Sequence, residues 1–436
     1  MLFGLPTILG LLPIVIYAFL GFKGVHPLLA TVAGVLTATI LSGQGIMGLA
    51  AGIYTGAGSF LGVIGLLVMF GTALAEILKD TGAAPLMVRR LMKAFPLSPT
   101  GIIIGSMVSI VILTVAIGSM IAAAAMVATV AITLAATYKV SPTAMAIAFH
   151  CGSVAGLLIG PFTPPTVQMM ELFEFSYGEY ALKVAGPMAI LMFIIGIVMA
   201  LWAQKKYGPS GENIMYAPEE AVDSTADDGE TKTARFGAMG FVFSIIPLIV
   251  YGIVKRGGMN FALIMILAVA AITGLAAGYK PSKVSDVMMR GASRMAWFYL
   301  MFVLFDPFVN FVAATGAFTA VGDLLQPMIN AGGNVGFLMI GSLFGIFGIS
   351  GAAVAQAEIM NEMFSGVALT LGTSLPLYVT MLLVGSQITS FAYPGADMMT
   401  EFGLARSSHL KSLILNGWVV TIVMTIYMFV RSVLNL

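Results

Sequence analysis

An all-α polytopic membrane protein, built as two inverted-topology repeats, is the fold class this sequence predicts. Three observations predict it. Of 436 residues, 59% are hydrophobic and 9% charged, against about 25% charged in a soluble domain. Apolar runs of spanning length recur from Leu5 to Leu436, where a β-barrel would show short alternating strands. Four segments of the first half also return, in order, in the second.

The elements follow from the amino terminus. Pro6 to Gly21 and Leu28 to Leu41 read as the first two spans, each expected to cross roughly 30 Å of hydrocarbon. The start carries no basic n-region and no A-x-A cleavage site, so the first span is expected to be a retained helix. Further apolar stretches run 60–78, 102–136, 142–160, 182–203, 237–254, 261–278, 295–313, 335–372, 375–392 and 413–434. Two of them, 102–136 and 335–372, are too long for one helix. They break at Gly118-Ser119 and Ser350-Gly351.

Charge placement orients the chain. With both long stretches as re-entrant hairpins and ten single crossings, 16 of the 20 basic residues fall on one face. That face is expected to be cytoplasmic, leaving Lys183, Lys255, Arg256 and Arg431 outside. Both termini are then outside, and the polar segment 205–235, with Glu219-Glu220 and Asp227-Asp228, is a cytoplasmic linker. The domains predicted are 1–204, the linker 205–235, and 236–436. The expected location is the inner (plasma) membrane of a prokaryotic cell.

The repeat is read directly. LLPIVIY at 11–17 returns as IIPLIVY at 245–251, and DTGAAP at 80–85 as ATGAFT at 314–319, both shifted by 234. IIGSM at 103–107 returns as MIGSL at 339–343. QMMELF at 168–173 returns as DMMTEF at 397–402. Five crossings plus one hairpin per half is an odd number of crossings, so the second half enters inverted. That arrangement is characteristic of secondary transporters.

The duplicated features are the helix breaks. Gly160-Pro161-Phe162-Thr163-Pro164-Pro165-Thr166 and Tyr393-Pro394-Gly395-Ala396 interrupt spans, giving discontinuous helices at the midplane. Non-helical backbone at membrane depth survives only inside protein or along a wet cavity. Freed amides and helix N-termini favour an anion, and freed carbonyls and hydroxyls can hold a cation. The substrate-binding candidates are Gly118, Ser119, Ser153, Thr163, Thr166, Ser350, Gly351, Ser386 and Tyr393.

At these residues the chain resembles the ion transporter superfamily and, within it, the gluconate permease family. The resemblance rests on LLVMFGTALAEILKDTGAAPLMVRRLMKAF at 66–95, FHCGSVAGLLIGPFTPPT at 149–166 and GSQITSFAYPGADMMTEFGLARSSHLKS at 385–412. It implies alternating access and carriage of a small organic carboxylate, of gluconate or dicarboxylate type, with a cation. It places the tip positions on Gly118, Ser119, Ser350 and Gly351, and the broken-helix loops on Thr163, Pro164, Thr166, Tyr393 and Pro394. Sodium-coupled members carry Ser-Asn-Thr at each tip. This chain has Gly-Ser-Met and Ser-Gly-Ala, so protons are the expected coupling ion ahead of sodium.

Ionisable residues within spans are functional candidates. Asp306, Glu358 and His150 are the proton-coupling candidates. Glu362 shares a face with Glu358, and Glu76 reads as a snorkelling carboxylate near a span end. No Arg or Lys falls deep in a span, so amides, hydroxyls and helix dipoles are expected to hold the substrate. Acidic core residues without basic partners also suit the alternative reading, a sodium or other cation/proton antiporter. A net charge of +1 argues against a nucleic-acid partner. One cysteine and three scattered histidines offer no metal site. No zinc motif, nucleophile elbow or P-loop is present, so neither an enzyme nor a cofactor is expected. The expected partners are the substrate anion, the coupling cation, membrane lipids and a second copy in a homodimer.

Overall fold

The computed structural model describes residues 7–208, 216, 231–348 and 352–435, and every regular element among them is helical. After a 3₁₀ turn, Thr7–Leu11, the first half contains α1 (Leu12–Phe22), α2 (Pro27–Ser42), α3 (Gly45–Gly56), α4 (Phe60–Asp80) and α5 (Ala83–Met92). It continues with α6 (Pro99–Ile117), α7 (Met120–Thr137), α8 (Pro142–Ile159), α9 (Pro164–Phe173), α10 (Tyr177–Tyr180) and α11 (Gly186–Tyr207). The second half contains α12 (Lys232–Lys255), α13 (Gly258–Ala276), α14 (Pro281–Ser293), α15 (Ala296–Ala314) and α16 (Ala317–Ile346), which kinks at Gly333. Then come α17 (Ala353–Thr370), α18 (Leu375–Gln387), α19 (Thr389–Ala392), α20 (Ala396–Leu404) and α21 (Leu410–Leu434).

The two helix series correspond in order. Each half opens with a helical pair and a short third helix. A long fourth helix and a helix entered through a left-handed glycine follow. Those glycines are Gly82 and Gly316, both at φ +75°. Their spacing is the same 234 residues that separates the sequence repeats. A side chain at either position would be strained.

Local chemistry sets the ends. Ser98 and Ser141 cap α6 and α8 by accepting from the amides of Gly101 (3.2 Å) and Ala144 (3.3 Å). Proline opens α2, α6, α8, α9, α14 and α18, where its missing N–H costs nothing. The helices extend further than hydropathy predicts. α11 runs into the expected linker as far as Tyr207, ending on Lys205 and Lys206, which favour a helix C-terminus. α12 begins at Lys232, with Thr231 accepting from the Ala234 amide at 3.1 Å. Residue 219, between them, lies outside the described residues.

Ten described helices are long and apolar enough to cross a membrane, but they are not the ten expected. Both arms of the 102–136 stretch qualify, at 19 and 18 residues, or about 28 and 27 Å. The first two expected spans fall among the shorter apolar helices. Helices α3, α5 and α14 had no counterpart among the predicted spans. α5 and α14 are amphipathic, ending on Arg89-Arg90 and Arg290, so a search for continuous apolar runs passes over them.

The chain divides into two compact units, and neither is one sequence half. One comprises 1–68, 295–389 and 423–436. The other comprises 69–294 and 390–422. In the second, α6 packs on α8 through Gly152 and Gly156. A Cβ on Gly156 would lie 2.8 Å from Thr114 Cβ and 2.9 Å from the Val111 carbonyl. In the first, α16 meets α18 glycine to glycine. A Cβ on Gly345 would stand 2.5 Å from Gly385 Cα. Small residues that let backbones approach are how helices associate without a hydrophobic drive. Large apolar side chains such as Ile40, Phe243, Val254 and Leu369 are exposed, as the lipid-facing side of a multi-pass membrane protein requires.

Candidate functional site

The site is built around the first interrupted span. α8 stops at Ile159, the chain turns through Gly160-Pro161-Phe162, and α9 starts at Pro164. Pro161 and the turn remove amide donors from the last carbonyls of α8. Side-chain hydroxyls replace them. Thr163 Oγ1 lies 2.6 Å from the Leu157 carbonyl and 2.8 Å from that of Gly160. Thr166 and Tyr180 each reach the Leu158 carbonyl at 3.1 Å, and Tyr177 donates to the Ile159 carbonyl at 2.7 Å. The chain's own hydroxyls therefore meet these freed carbonyls. Thr163 and Thr166 are fully buried and 2.9 Å apart.

The hairpin tip meets this break. α6 ends at Ile117, Gly118 adopts φ +76°, and Ser119 caps α7 by accepting from the Ala122 amide. A Cβ on Gly118 would lie 3.4 Å from the Phe162 carbonyl and 3.9 Å from Thr163 Cα. Gly118 and Thr163 are thus brought together, and the N-termini of α7 and α9 lie beside the contact. A cavity of about 300 Å³ adjoins the break, lined in part by Pro161, Phe162, Glu171, Tyr177 and Arg256. The other compact unit holds an almost wholly apolar cavity of about 880 Å³, with Gln356 in its wall.

The second interrupted span is organised differently. Gln356 on α17 donates to the carbonyls of Gly345 and Gly385, the latter at 2.7 Å. It also donates to Thr389 Oγ1 at 3.1 Å. Thr389 itself lies 3.1 and 3.0 Å from the same two carbonyls. Tyr393 sits half-buried between α19 and α20. The boundary between the compact units falls within this span, after Thr389.

The remaining predicted residues are scattered. Ser153 is buried on α8, its hydroxyl without a partner among the described residues. Ser386 is buried on α18, 3.3 Å from the Gln387 amide nitrogen. Asp306 is half-buried on α15, accepting from Asn310 at 3.4 Å. Glu358 is half-buried on α17, and Glu362 is exposed. Ser350 and Gly351 lie outside the described residues. Glu76 is not a snorkelling carboxylate. Arg294 pairs with it through both nitrogens, at 2.6 and 3.1 Å. Arg431, assigned to the outer face, is buried on α21 and donates to Thr380 at 2.9 Å.

Sequence reasoning missed the partner of His150. Its imidazole, fully buried on α8, contacts the equally buried Glu401 carboxylate of α20 through Nδ1. Its Nε2 lies 3.2 Å from the Ser390 carbonyl, and the Phe391 ring packs 4.3 Å away. Glu401 is 251 residues from His150. One signal was available: in the repeated segment Glu401 stands where the first half has Leu172.

Helices of spanning length around packed, interrupted spans define a multi-pass membrane protein. The chain belongs to the GntP family of permeases, whose family model matches residues 5–256. The fold is similar to that in the crystal structure of the YdaH transporter of Alcanivorax borkumensis. The two are 16% identical with a TM-score of 0.53, over 98% of each chain. No curated protein matches the chain significantly.

Proposed function

We propose that the protein is a secondary active transporter that carries a small organic carboxylate of gluconate or dicarboxylate type with protons, by alternating access. The observation that carries the reading is the meeting of two interruptions, the Gly118 tip and the Phe162–Thr163 break, inside packed protein. Two helix N-termini beside that contact favour a carboxylate. Ser119 is nearly buried, and accepting from Ala122 leaves its own O–H to donate. The adjoining cavity is at the small end of ligand sites, and Arg256 in its lining offers a positive approach. Family membership supports the substrate class.

The inverted-repeat reading draws on the corresponding helix order of the halves. The re-entrant reading draws on the α6–α7 tip, which stops against the break and not beside the distal end of α9. The expected orientation agrees with packing inside one compact unit. Glu76 and Asp80 at the end of α4 pair with Arg294 and Arg290. Tyr207 and Ser412 are hydrogen-bonded. Arg290 and Arg294 are among the basic residues that the charge count places on the cytoplasmic face, and Tyr207 lies in the expected cytoplasmic linker.

Uptake of labelled gluconate, succinate and lactate into proteoliposomes tests the function. Accumulation driven by an inward proton gradient supports it. Accumulation only with sodium, or cation exchange without any organic anion, overturns it. Ser119→Leu is expected to lower uptake at least tenfold in protein that still inserts, because the bulkier chain fills the tip.

A further inference from the structure

His150 has two acceptors and, when neutral, one N–H. Its Nε2 faces the Ser390 carbonyl at 3.2 Å, and its Nδ1 faces the Glu401 carboxylate. A neutral imidazole donates from only one nitrogen. With the hydrogen on Nε2, the Nδ1 lone pair would oppose an ionised carboxylate. With it on Nδ1, the Nε2 lone pair would oppose the carbonyl. Both contacts are satisfied only when the pair holds one more proton, as imidazolium with carboxylate or as imidazole with carboxylic acid.

We propose that His150 and Glu401 form a buried proton-binding site whose shared proton is the coupling proton and, while bound, holds α20 against α8. Taking up H⁺ converts neutral imidazole plus carboxylate into the neutral pair. Releasing it restores a bare carboxylate beside a lone pair, and the contact opens. The role in coupling rests on the symport reading above.

The surroundings fit this role. The second carboxylate oxygen, Glu401 Oε1, is buried with no hydrogen-bond partner among the described residues. A buried acceptor left this way is costly on an ionised carboxylate, and a proton on the pair reduces that cost. The charged neighbour is Asp397, one turn earlier on α20, and Cys151 adjoins His150 on α8. Helices α6 and α7 carry no ionisable residue from Pro99 to Thr137. Those of α11 are confined to its end at Lys205, Lys206 and Tyr207. On the other neighbours they are Glu171 of α9, Lys183 of the turn at 181–185, and Lys411, Tyr427 and Arg431 of α21, with Arg406 and His409 after α20. Among the described residues no Lys or Arg pairs with Glu401, and its ionic partner is His150. Neither member is duplicated. Leu383 and Leu172 occupy the corresponding repeat positions, so the pair is an addition to the shared scaffold.

Glu401→Gln is the decisive variant, because the Gln amide can donate to Nδ1 and preserve the contact without titrating. In pH-step difference infrared spectra of substrate-free protein in liposomes, wild type is expected to release one proton from a carboxyl or imidazolium band. That band should be missing from both Glu401→Gln and His150→Gln. Labelled gluconate counterflow in Glu401→Gln should fall less than threefold, while pH-gradient-driven accumulation falls more than tenfold. An unchanged band, or wild-type accumulation, would overturn the proposal. If Glu401→Gln does not fold, ring ¹⁵N spectra of wild type decide, since His150 is one of only three histidines. A His150 environment unchanged by pH would overturn the shared proton. If wild type carries none of the anions tested, symport and coupling both fall, and the infrared titration still separately accepts or rejects the shared proton.

Discussion

The two interrupted spans manage exposed backbone in opposite ways. In the first, α8 to α9, the carbonyls of Leu157, Leu158, Ile159 and Gly160 are each met by a hydroxyl within 22 residues in sequence. The whole break lies inside one compact unit. In the second, α18 to α20, the covering group is Gln356, brought from the preceding helix to the carbonyls of Gly345 and Gly385. The limbs of this span belong to different units, parting after Thr389. A self-sufficient break behaves as a fixed wall. A break covered from another helix is expected to open more readily and so to act as a hinge. The two differ in which side chains reach the backbone: hydroxyls close in sequence for the first, Gln356 of α17 for the second.

The glycine crossings should break this contrast with the largest effect. Gly345 approaches the Gly385 backbone, whereas a Cβ on Gly152 would first meet Met107 Cγ and carbonyl at 3.1 Å. A flexible methionine can yield in part, but a backbone contact at 2.5 Å cannot. Gly345→Ser, which imports the first-half residue Ser109, is expected to cost about 3 kcal/mol or to prevent folding, by overpacking. Gly152→Ala should cost about 1 kcal/mol. Thermal unfolding of the two purified variants in detergent measures the difference. Equal shifts in Tm would mean that the crossings are equivalent.

Next in size are the caps. Thr163→Val strips the Leu157 carbonyl of its hydroxyl, and a buried unsatisfied acceptor costs about 1–3 kcal/mol. Gln356→Leu should cost less, about 1 kcal/mol, because Thr389 stands within 3.1 Å of both carbonyls it serves. The order of the two unfolding midpoints is the test, and a larger loss for Gln356→Leu would reverse the assignment of wall and hinge. Hydrogen exchange checks the same point without mutation. Amides of residues 166–170 should exchange roughly tenfold slower than those of 396–400, since local opening follows the density of satisfied contacts.

Part of this contrast was legible in the sequence. The breaks at Gly118 and Gly160–Thr166 could be read because Gly and Pro signal locally. The repeats could be read because 234-residue shifts preserve short strings. What could not be read were relations across distance. The Thr163 and Thr166 hydroxyls read as open ligand groups until folding turned them onto carbonyls a few residues upstream. His150 was singled out without Glu401, since a pairing across 251 residues leaves no spacing to recognise. The amphipathic helices α5 and α14 escaped because half of each is polar, and Glu76 was misjudged because Arg294 reaches it from α14.

That last pair provides the smallest effect and the control for the others. Glu76 is bound by Arg294 at 2.6 Å and approached by Arg290 at 3.9 Å. The geometry is bidentate, but the arginine side chains are 60% and 55% exposed. Water and salt therefore screen the attraction, and exposed pairs contribute about 0–1 kcal/mol. Glu76→Gln keeps the shape and one acceptor while removing the charge. It should lower stability by about 0.5 kcal/mol, with the difference shrinking further at 0.5 M salt, and should leave exchange rates at 166–170 and 396–400 as they were. If Glu76→Gln instead accelerated exchange at 396–400 as much as Gln356→Leu does, the mobility of the second span would be set by charges far along the chain and not by its own carbonyl partners. The difference between the two breaks would then have to be sought outside them.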